Sequence, residues 1–203
     1  VRVEQVLASP RVRLLHDFIT AEEAEEILAT AEPRFTRSPV RSVASERRTS
    51  KTATLGSSSS GAIGRIRRRI SHFSGYPDSQ LEPLQVVRYH PGEKYEPHHD
   101  LFDICDFEQK PRRHVPFLIY LNNMAEGAGG LTTFPRLHVG VRPTAYTALV
   151  FNDVLDSGLD DERTEHSGTA PQEGVKYAIN IWIRAPRARR RALTRRVKDM
   201  LGL

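Results

Sequence analysis

Residues 175–184 read VKYAINIWIR, a run of β-branched and aromatic side chains that predicts a β-strand. Similar runs recur before it: LQVVRY (84–89), PFLIYLNN (116–123), HVGVRP (138–143) and YTALVFND (146–153). Turn signals separate them, namely HPGE (90–93), AEGAGG (125–130) and APQEG (170–174). Because these short strands follow one another with no helical pattern between them, we predict a sandwich or barrel such as a jelly roll.

A strand and two helices are predicted ahead of this β-rich region. Residues 11–19 indicate a short strand leading into the first helix, and Thr20 and Glu23 have the spacing of a capping box at its start. The second helix has an apolar face and a basic remainder. Its apolar residues are Ile63, Ile66, Ile70 and Phe73, and the arginines that lie largely outside this face are Arg65, Arg67, Arg68 and Arg69.

Residues 33–56 are polar and without clear period, which predicts an irregular or loosely stranded segment. GSSSSG (56–61) indicates a short linker rather than a domain boundary. The length of the chain fits one domain over residues 1–186, with N-terminal helical support over about residues 1–80 and the β core over about residues 81–186. The expected fold class is mainly β with flanking helices.

The composition, with 38% hydrophobic and 27% charged residues, is that of a globular protein. No run is apolar over the length needed to cross a bilayer, so we expect no membrane segment. Residues 187–203 form a basic tail or helix with a net charge of +6. Since the net charge of the whole chain is +5, the rest of the chain carries −1. Such a tail is more often solvated than a specific nucleic-acid reader, so specific nucleic-acid binding is disfavoured. The oligomeric state stays open.

A single cysteine, Cys105, leaves no intramolecular disulfide and favours a reducing compartment such as the cytoplasm. The chain begins at Val1 rather than Met, so a secretory lumen is the alternative if a leader or anchor preceded it.

The stretch KYEPHHDLFD (94–103) puts two adjacent histidines before an aspartate. If residues 95–101 are extended, His98 and Asp100 point to one side and His99 to the other, because side chains alternate along a strand. Pro97 disfavours a helix just before the pair. His98 is therefore the predicted partner of Asp100, and His99 is assigned to packing or surface.

His166, in TEHSGTAPQEGVKY, supplies a second imidazole. Two imidazoles and one carboxylate make the facial triad of non-haem Fe(II) oxygenases, which leaves open positions on the metal. Lys176 follows ten residues later across a turn with Pro171 and Gly174, a spacing that predicts a hairpin with His166 and Lys176 on successive strands. A buried lysine in a β core needs an anion, and the distal carboxylate of 2-oxoglutarate is a suitable one.

These residues carry a resemblance to the prolyl 4-hydroxylases, within the 2-oxoglutarate and Fe(II)-dependent dioxygenases. The resembling stretches are EPLQVVRYHPGEKYEPHHD (82–100), RHVPFLIYLNN (113–123), GGLTTFP (129–135), EHSGTAPQEGVKYAINIWIR (165–184) and, before the core, RRTSKTATL (47–55). The resemblance implies a double-stranded β-helix (jelly-roll) core and a peptidyl-prolyl 4-hydroxylase that uses Fe(II), 2-oxoglutarate and O2, with ascorbate as reductant.

The resemblance also implies residue roles. The iron ligands would be His98, Asp100 and His166. Lys176 would hold the distal carboxylate of 2-oxoglutarate, in a pocket completed by Tyr89, Tyr120 and Thr132. The positions that match the groove for a proline-containing peptide or protein are Tyr95, Arg113, Trp182, Glu82 and Arg48.

Two residues depart from the family pattern. Pro116 replaces a more usual threonine and predicts a strand start or an edge strand, because proline lacks a ladder donor. Leu131 replaces a residue that is often acidic. The alternatives to peptidyl proline are an oxygenase acting on nucleic acid or a small molecule, and a non-catalytic binding module on the same fold.

Overall fold

The computed structural model describes residues 1–40, 43–56, 61–100, 113–155 and 160–184. The serines of the expected linker, residues 101–112 after the His-x-Asp pair, and the basic tail lie outside the described residues. The described elements are β1 (Arg2–Leu7), β2 (Val12–His16), α1 (Ala21–Ala31), β3 (Thr36–Arg37), β4 (Pro39–Val40), β5 (Val43–Ala44), β6 (Lys51–Leu55), α2 (Gly61–Ser74), β7 (Leu84–Tyr89), β8 (Tyr95–His98), β9 (Arg113–Tyr120), β10 (Thr132–Phe134), β11 (Val139–Val141), β12 (Ala148–Phe151), β13 (His166–Gly168) and β14 (Lys176–Arg184).

Two antiparallel sheets form the core of the molecule. The major sheet has eight strands in the order β1-β2-β12-β9-β14-β7-β6-β3, and the minor sheet has four in the order β11-β10-β13-β8. Strands β7 to β14 thus divide into two sets of four, one in each sheet, as a jelly roll requires. The predicted fold class is confirmed. Among the described residues, no helix is both long and apolar enough to cross a membrane.

An apolar layer fills the space between the two sheets and surrounds the candidate site. Tyr89, Tyr120 and Ala178 contribute to it from the major sheet, and Phe134 and Val141 from the minor sheet. Each of these strands alternates its side chains, so the residues between them face the other way, toward the helices or solvent. A second cluster, on the far side of the major sheet, packs against α1 and α2.

Both N-terminal helices are present, and their caps and faces follow the sequence with two exceptions. Thr20 and Glu23 form the expected capping box at the start of α1. Phe73, which we placed on the apolar face of α2, is 42% exposed. Arg67, which we placed outside that face, is buried, because its guanidinium reaches Asp78 at 2.7 Å and the carbonyl of Glu82 at 2.8 Å.

The described part of residues 33–56 forms more regular strands than its polarity predicts. Strand β6 pairs with β7 from Lys51 opposite Arg88 to Leu55 opposite Leu84, well inside the major sheet. Its apolar signal is short, since Ala53 and Leu55 alone supply the hydrophobic side of this strand. The first eighty residues therefore contribute strands to the major sheet as well as helical support.

The predicted hairpin between His166 and Lys176 is wrong. Strand β13 belongs to the minor sheet and β14 to the major sheet, so the chain crosses from one sheet to the other between them. The turn between β13 and β14 contacts the loop that precedes β10, because an isolated β-bridge pairs Pro171 with Gly129. Gly129 has φ +72°, and a side-chain Cβ there would lie 2.5 Å from the carbonyl of Ala170. His166 and Lys176 therefore lie in different sheets of the sandwich.

Pro116 lies in a central strand, so the expectation of an edge strand is also wrong. Strand β9 has β14 on one side and β12 on the other, and Pro116 is opposite Trp182 of β14. The ladder to β12 starts only at Phe117. The proline is tolerated because it lies in the part of β9 where β14 is the single neighbour.

Candidate active site

Three potential metal ligands converge at one edge of the minor sheet. His98 ends β8, His166 begins β13, and the two residues are direct partners in the ladder between these strands. Asp100 follows two residues after His98. Its carboxylate oxygens lie 3.8 Å from Nε2 of His98 and 3.5 Å from Nε2 of His166. One ligand atom from each of the three residues lies within 4.8 Å of the others, close enough to bind a single ion.

The backbone orients both imidazoles. Nδ1 of His98 donates to the carbonyl of Glu96 at 2.8 Å, and Nδ1 of His166 donates to the carbonyl of Thr164 at 3.0 Å. With the proton held on Nδ1, each ring presents the lone pair of Nε2 to the common centre. This arrangement of the second ring nitrogen is the usual one for metal-binding histidines.

The charges at this site suit a cation. Burial, and then the neighbouring His166, lowers the pKa of His98 to about 3, so the ring is neutral at physiological pH. Burial would raise the pKa of Asp100, but His166 and His98 more than offset this, and the pKa lies below its usual value. A neutral imidazole and an ionised carboxylate are the forms that bind metal.

The donor set fits Fe(II). Two imidazole nitrogens and one carboxylate, on one side of the centre, match the non-haem iron triad and leave coordination positions for other ligands. The residues described contain no cysteine beside them, so the set does not resemble a closed structural zinc site. His99 lies outside the cluster, as predicted, although β8 ends at His98 and Asp100 lies in a bend just beyond it. Nδ1 of His99 is buried without a hydrogen-bond partner.

Lys176 lies between the sheets, apart from the triad. The residue is 2% exposed, and its ammonium lies 3.4 Å from Oγ1 of Thr132, which also accepts a hydrogen bond from the hydroxyl of Tyr120 at 2.9 Å. The rings of Tyr89 and Tyr120 lie 5.4 and 5.6 Å from Nζ. Burial lowers the pKa of Lys176 to about 7 and raises those of both tyrosines.

Among the described residues no carboxylate lies within ion-pair distance of Lys176, although many other basic side chains have one. A buried ammonium of this kind is costly until an anion neutralises it. The pocket therefore fits a small carboxylate ligand, flanked by two hydroxyl groups that are able to hydrogen-bond to it. The structure thus brings together all four residues assigned to the cosubstrate, Tyr89, Tyr120, Thr132 and Lys176.

The five residues assigned to the peptide groove fall into two groups around the triad. In the first, Arg113 makes two hydrogen bonds to Glu82, at 2.8 and 2.9 Å, and its guanidinium stacks on Trp182 at 3.7 Å from the ring centroid. Arg184 donates to the same carboxylate at 3.0 Å. Arg113 also reaches the carbonyl of Asp100 at 3.4 Å. Glu82 is thus buried and engaged by two arginines, which makes it an anchor for Arg113.

The second group consists of Arg48 and Tyr95, on the opposite flank of His98. Arg48 is buried and Tyr95 is half-buried, and an isolated β-bridge joins the two residues. Burial raises the pKa of Tyr95. The tyrosine hydroxyl therefore stays protonated and able to donate a hydrogen bond.

Sequence reasoning missed Asp153, just after β12. This side chain is 1% exposed, its Oδ2 has no hydrogen-bond partner, and burial followed by the charge of Asp100 raises its pKa well above the usual value. It also missed Phe134 and Phe151, whose rings lie 5.9 and 5.0 Å from that of His166 and form an apolar wall. Phe151 lies in a predicted strand and Phe134 does not, and nothing local marks which interior residues contact the site.

Comparison with known proteins agrees with this geometry. Residues 84–184 match the 2OG-Fe(II) oxygenase superfamily. The chain is 34% identical over 206 residues to prolyl 4-hydroxylase 1 of Arabidopsis thaliana, covering 91% of this chain and 72% of that protein. It is 31% identical over 194 residues to prolyl 4-hydroxylase subunit alpha-1 of Gallus gallus, covering 90% of this chain and 37% of the subunit. The chain therefore spans little more than a third of that subunit.

Solved structures show the same fold. The viral collagen prolyl hydroxylase of Paramecium bursaria Chlorella virus-1, in complex with 2OG, superposes with a TM-score of 0.71 and 25% identity, over 86% of this chain and 96% of that one. A prolyl hydroxylase of Trichoplax adhaerens shares the fold, with a TM-score of 0.67 and 20% identity over 85% of this chain and 83% of that one. From its sequence relatives and its site, the chain belongs to the prolyl 4-hydroxylase family and is a 2-oxoglutarate- and Fe(II)-dependent dioxygenase.

Proposed function

We propose that this enzyme hydroxylates C4 of prolyl residues in a peptide or protein. The observation that carries the proposal is the combination of one ligand triad and one buried lysine with two aromatic side chains, Tyr95 and Trp182, next to the triad. Because the Tyr95 ring contacts Arg48 and stacks on His98, its hydroxyl edge is the part that suits a polar group of a peptide substrate. The names of the relatives support the same substrate class.

The overall reaction requires Fe(II), 2-oxoglutarate and O2, which the family implies. When bound, these groups supply the oxidising power: 2-oxoglutarate is converted to succinate and CO2, and one oxygen atom of O2 enters the C–H bond of the substrate as a hydroxyl. Ascorbate is the reductant we propose for the metal.

The chain's own residues hold and orient these groups. His98, Asp100 and His166 bind the metal from one side, with both imidazoles fixed through Nδ1 by backbone carbonyls. Lys176 pairs with the distal carboxylate of 2-oxoglutarate, and the hydroxyls of Tyr120 and Thr132 complete its hydrogen bonds. Phe134 and Phe151 exclude water beside His166.

Substrate positioning falls to the residues around the triad. Trp182 presents its ring under the guanidinium of Arg113, which Glu82 holds in place through two hydrogen bonds. The indole N–H of Trp182 is buried beside the carboxylate of Asp100, whose pKa it helps to lower.

Incubation with a panel of proline-containing peptides, Fe(II), 2-oxoglutarate, O2 and ascorbate tests the proposal. We expect a mass gain of one oxygen atom on proline, matched by succinate, and less turnover when ascorbate is omitted. The control peptides carry 4-hydroxyproline in place of proline. Succinate formed with no peptide product would point to another substrate, such as a nucleic acid or small molecule. If no succinate is formed and 2-oxoglutarate does not bind, the chain is a non-catalytic module.

A further inference from the structure

Three side chains form a continuous stack that ends on a metal ligand. The guanidinium carbon of Arg48 lies 4.7 Å from the centroid of the Tyr95 ring. The Tyr95 ring also lies parallel to the imidazole of His98, with 3.5 Å between centroids and 17° between planes. We call these three residues the Arg48–Tyr95–His98 stack.

The charge of Arg48 is directed at this ring. Arg48 is 7% exposed, and no carboxylate among the described residues lies within ion-pair distance of it. Its hydrogen bonds go to the hydroxyls of Ser50 and Thr52, both at 3.4 Å, which is long for a charged donor. The Tyr95 ring is therefore the principal favourable electrostatic contact of the Arg48 guanidinium, and cation–π attraction helps to fix the orientation of this ring.

The backbone fixes the stack in place. Residues 47–49 run beside β8, where the amide of Thr49 donates to the carbonyl of Lys94 at 2.9 Å and the amide of Glu96 donates to that of Arg47 at 2.8 Å. This segment therefore moves with the strand that carries His98. The position of the stack is set by two aligned stretches of backbone rather than by side-chain packing alone.

The hydrogen bond at Nδ1 does not fully fix the orientation of the His98 ring. The bond to the carbonyl of Glu96 restrains one edge of the imidazole, but the ring is still able to tilt about that edge. A flat ring at 3.5 Å opposes this tilt, because tilting would bring the imidazole into contact with the tyrosine face. A metal site needs its ligands held within about 10–20° of the productive orientation.

We propose that Tyr95 and Arg48 are positioning residues for His98, and that the affinity for the metal depends on them in the absence of any peptide. This inference rests on the proposed metal site and adds a second role to two residues assigned to the peptide groove. Outer residues that orient metal ligands typically change affinity by about 10–100-fold when removed.

Anaerobic titration with Fe(II), and titration with Co(II) followed by its visible absorption, test the proposal without turnover. We expect Tyr95→Leu to weaken binding by about tenfold or more and to alter the Co(II) spectrum. Tyr95→Phe keeps the flat ring, so its affinity stays within about threefold of wild type. Arg48→Met keeps the length of the side chain without its charge, and we expect a loss of about three- to tenfold.

Phe35 provides a matched control, since Arg88 stacks on it at 4.4 Å and neither residue is a metal ligand. Phe35→Leu should bind Co(II) like wild type. If Tyr95→Leu and Arg48→Met also bind Co(II) and Fe(II) like wild type, the inference is overturned and the proposed metal site still stands. A wild-type protein that binds neither Fe(II) nor Co(II) would instead overturn the metal site, and the inference with it. If Tyr95→Leu does not fold, as seen by circular dichroism, Arg48→Met against Tyr95→Phe decides the matter.

Discussion

His166 lies directly opposite His98 in the ladder between β13 and β8, with 4.4 Å between their ring centroids. The two residues are far apart in the sequence, so the site exists only when these strands have paired. Two imidazoles this close, next to a buried carboxylate, are an arrangement that a bound cation stabilises.

Loss of one ligand should remove the activity without removing the fold. We expect His166→Ala to lower 2-oxoglutarate turnover by at least about 100-fold, because loss of a metal ligand costs more than loss of a residue that only orients a ligand. Circular dichroism should match wild type, because the strand pairing does not depend on the imidazole. Succinate release at the wild-type rate would show that the triad assignment is wrong.

His99→Ala is the matched control for the same titration. His99 adjoins His98 in sequence but lies outside the ligand cluster. We expect its affinity for Fe(II) to stay within about threefold of wild type, against a loss of about 100-fold or more for His98→Ala. An equal loss in both variants would contradict the exclusion of His99 from the ligand set.

The affinity for 2-oxoglutarate should depend on pH through Lys176. Without ligand its pKa is lowered to about 7 by burial, whereas pairing with a carboxylate favours the charged form. Binding above pH 7 therefore takes up a proton, and the affinity should fall by up to about tenfold for each pH unit between 7 and 9. Calorimetry in buffers of different ionisation enthalpy measures this uptake directly.

Lys176→Met supplies the control for that experiment. Its residual affinity should be far weaker and should show no such pH dependence, because the titrating group is gone. A wild-type affinity that stays constant between pH 7 and 9 would contradict a neutral lysine in the free enzyme.

The same lysine should lower the stability of the ligand-free protein. Its pKa is about 7 when folded and near 10.5 when unfolded, so the unfolded state binds more protons between these values. The penalty is complete below pH 7 and disappears as the pH rises toward 10.5. Lys176→Met should therefore be more stable than wild type by a few kcal/mol at pH 7, with a difference that shrinks at pH 9.5. Urea unfolding without 2-oxoglutarate measures both, and saturating 2-oxoglutarate should narrow the difference.

Glu82 should matter for stability more than an exposed acid does. Glu82→Ala removes the buried carboxylate that Arg113 and Arg184 share, and we expect a loss of about 2–4 kcal/mol in the free energy of unfolding. Glu162, which pairs with Arg136 at 3.0 Å and is 76% exposed, is the control. Glu162→Ala should cost less than about 1 kcal/mol. Equal costs would contradict the anchoring role of Glu82.

The sequence predicts this site better than it predicts the route of the chain. The resemblance carried by the sequence motifs picks out His98, Asp100 and Lys176, and the structure places all three between or beside the two sheets. The turn between His166 and Lys176 has the Pro and Gly signals of a hairpin but joins the two sheets, because the same signals serve both kinds of connection. Which sheet a strand joins is decided by long-range pairing that no local pattern contains.

Burial of polar residues was equally hard to predict. Arg67 is basic, yet it is buried because the carboxylate of Asp78 and three backbone carbonyls accept hydrogen bonds from its guanidinium. Strand β6 reads as polar because two of its five residues supply the whole apolar side. In both cases partners distant in sequence decide the outcome, and the pattern of the segment alone does not.

Because the site is divided between two sheets, the separation of the sheets limits the length of the cosubstrate. His98 and His166 belong to the minor sheet, at the end of β8 and the start of β13, and Asp100 follows β8, whereas Lys176, Tyr89 and Tyr120 belong to the major sheet. An oxo-acid held both at the triad and by Lys176 would span the gap between the sheets, which the packed side chains of the interior keep fixed. We therefore expect 2-oxoglutarate to bind more tightly than the oxo-acids one carbon shorter or one carbon longer.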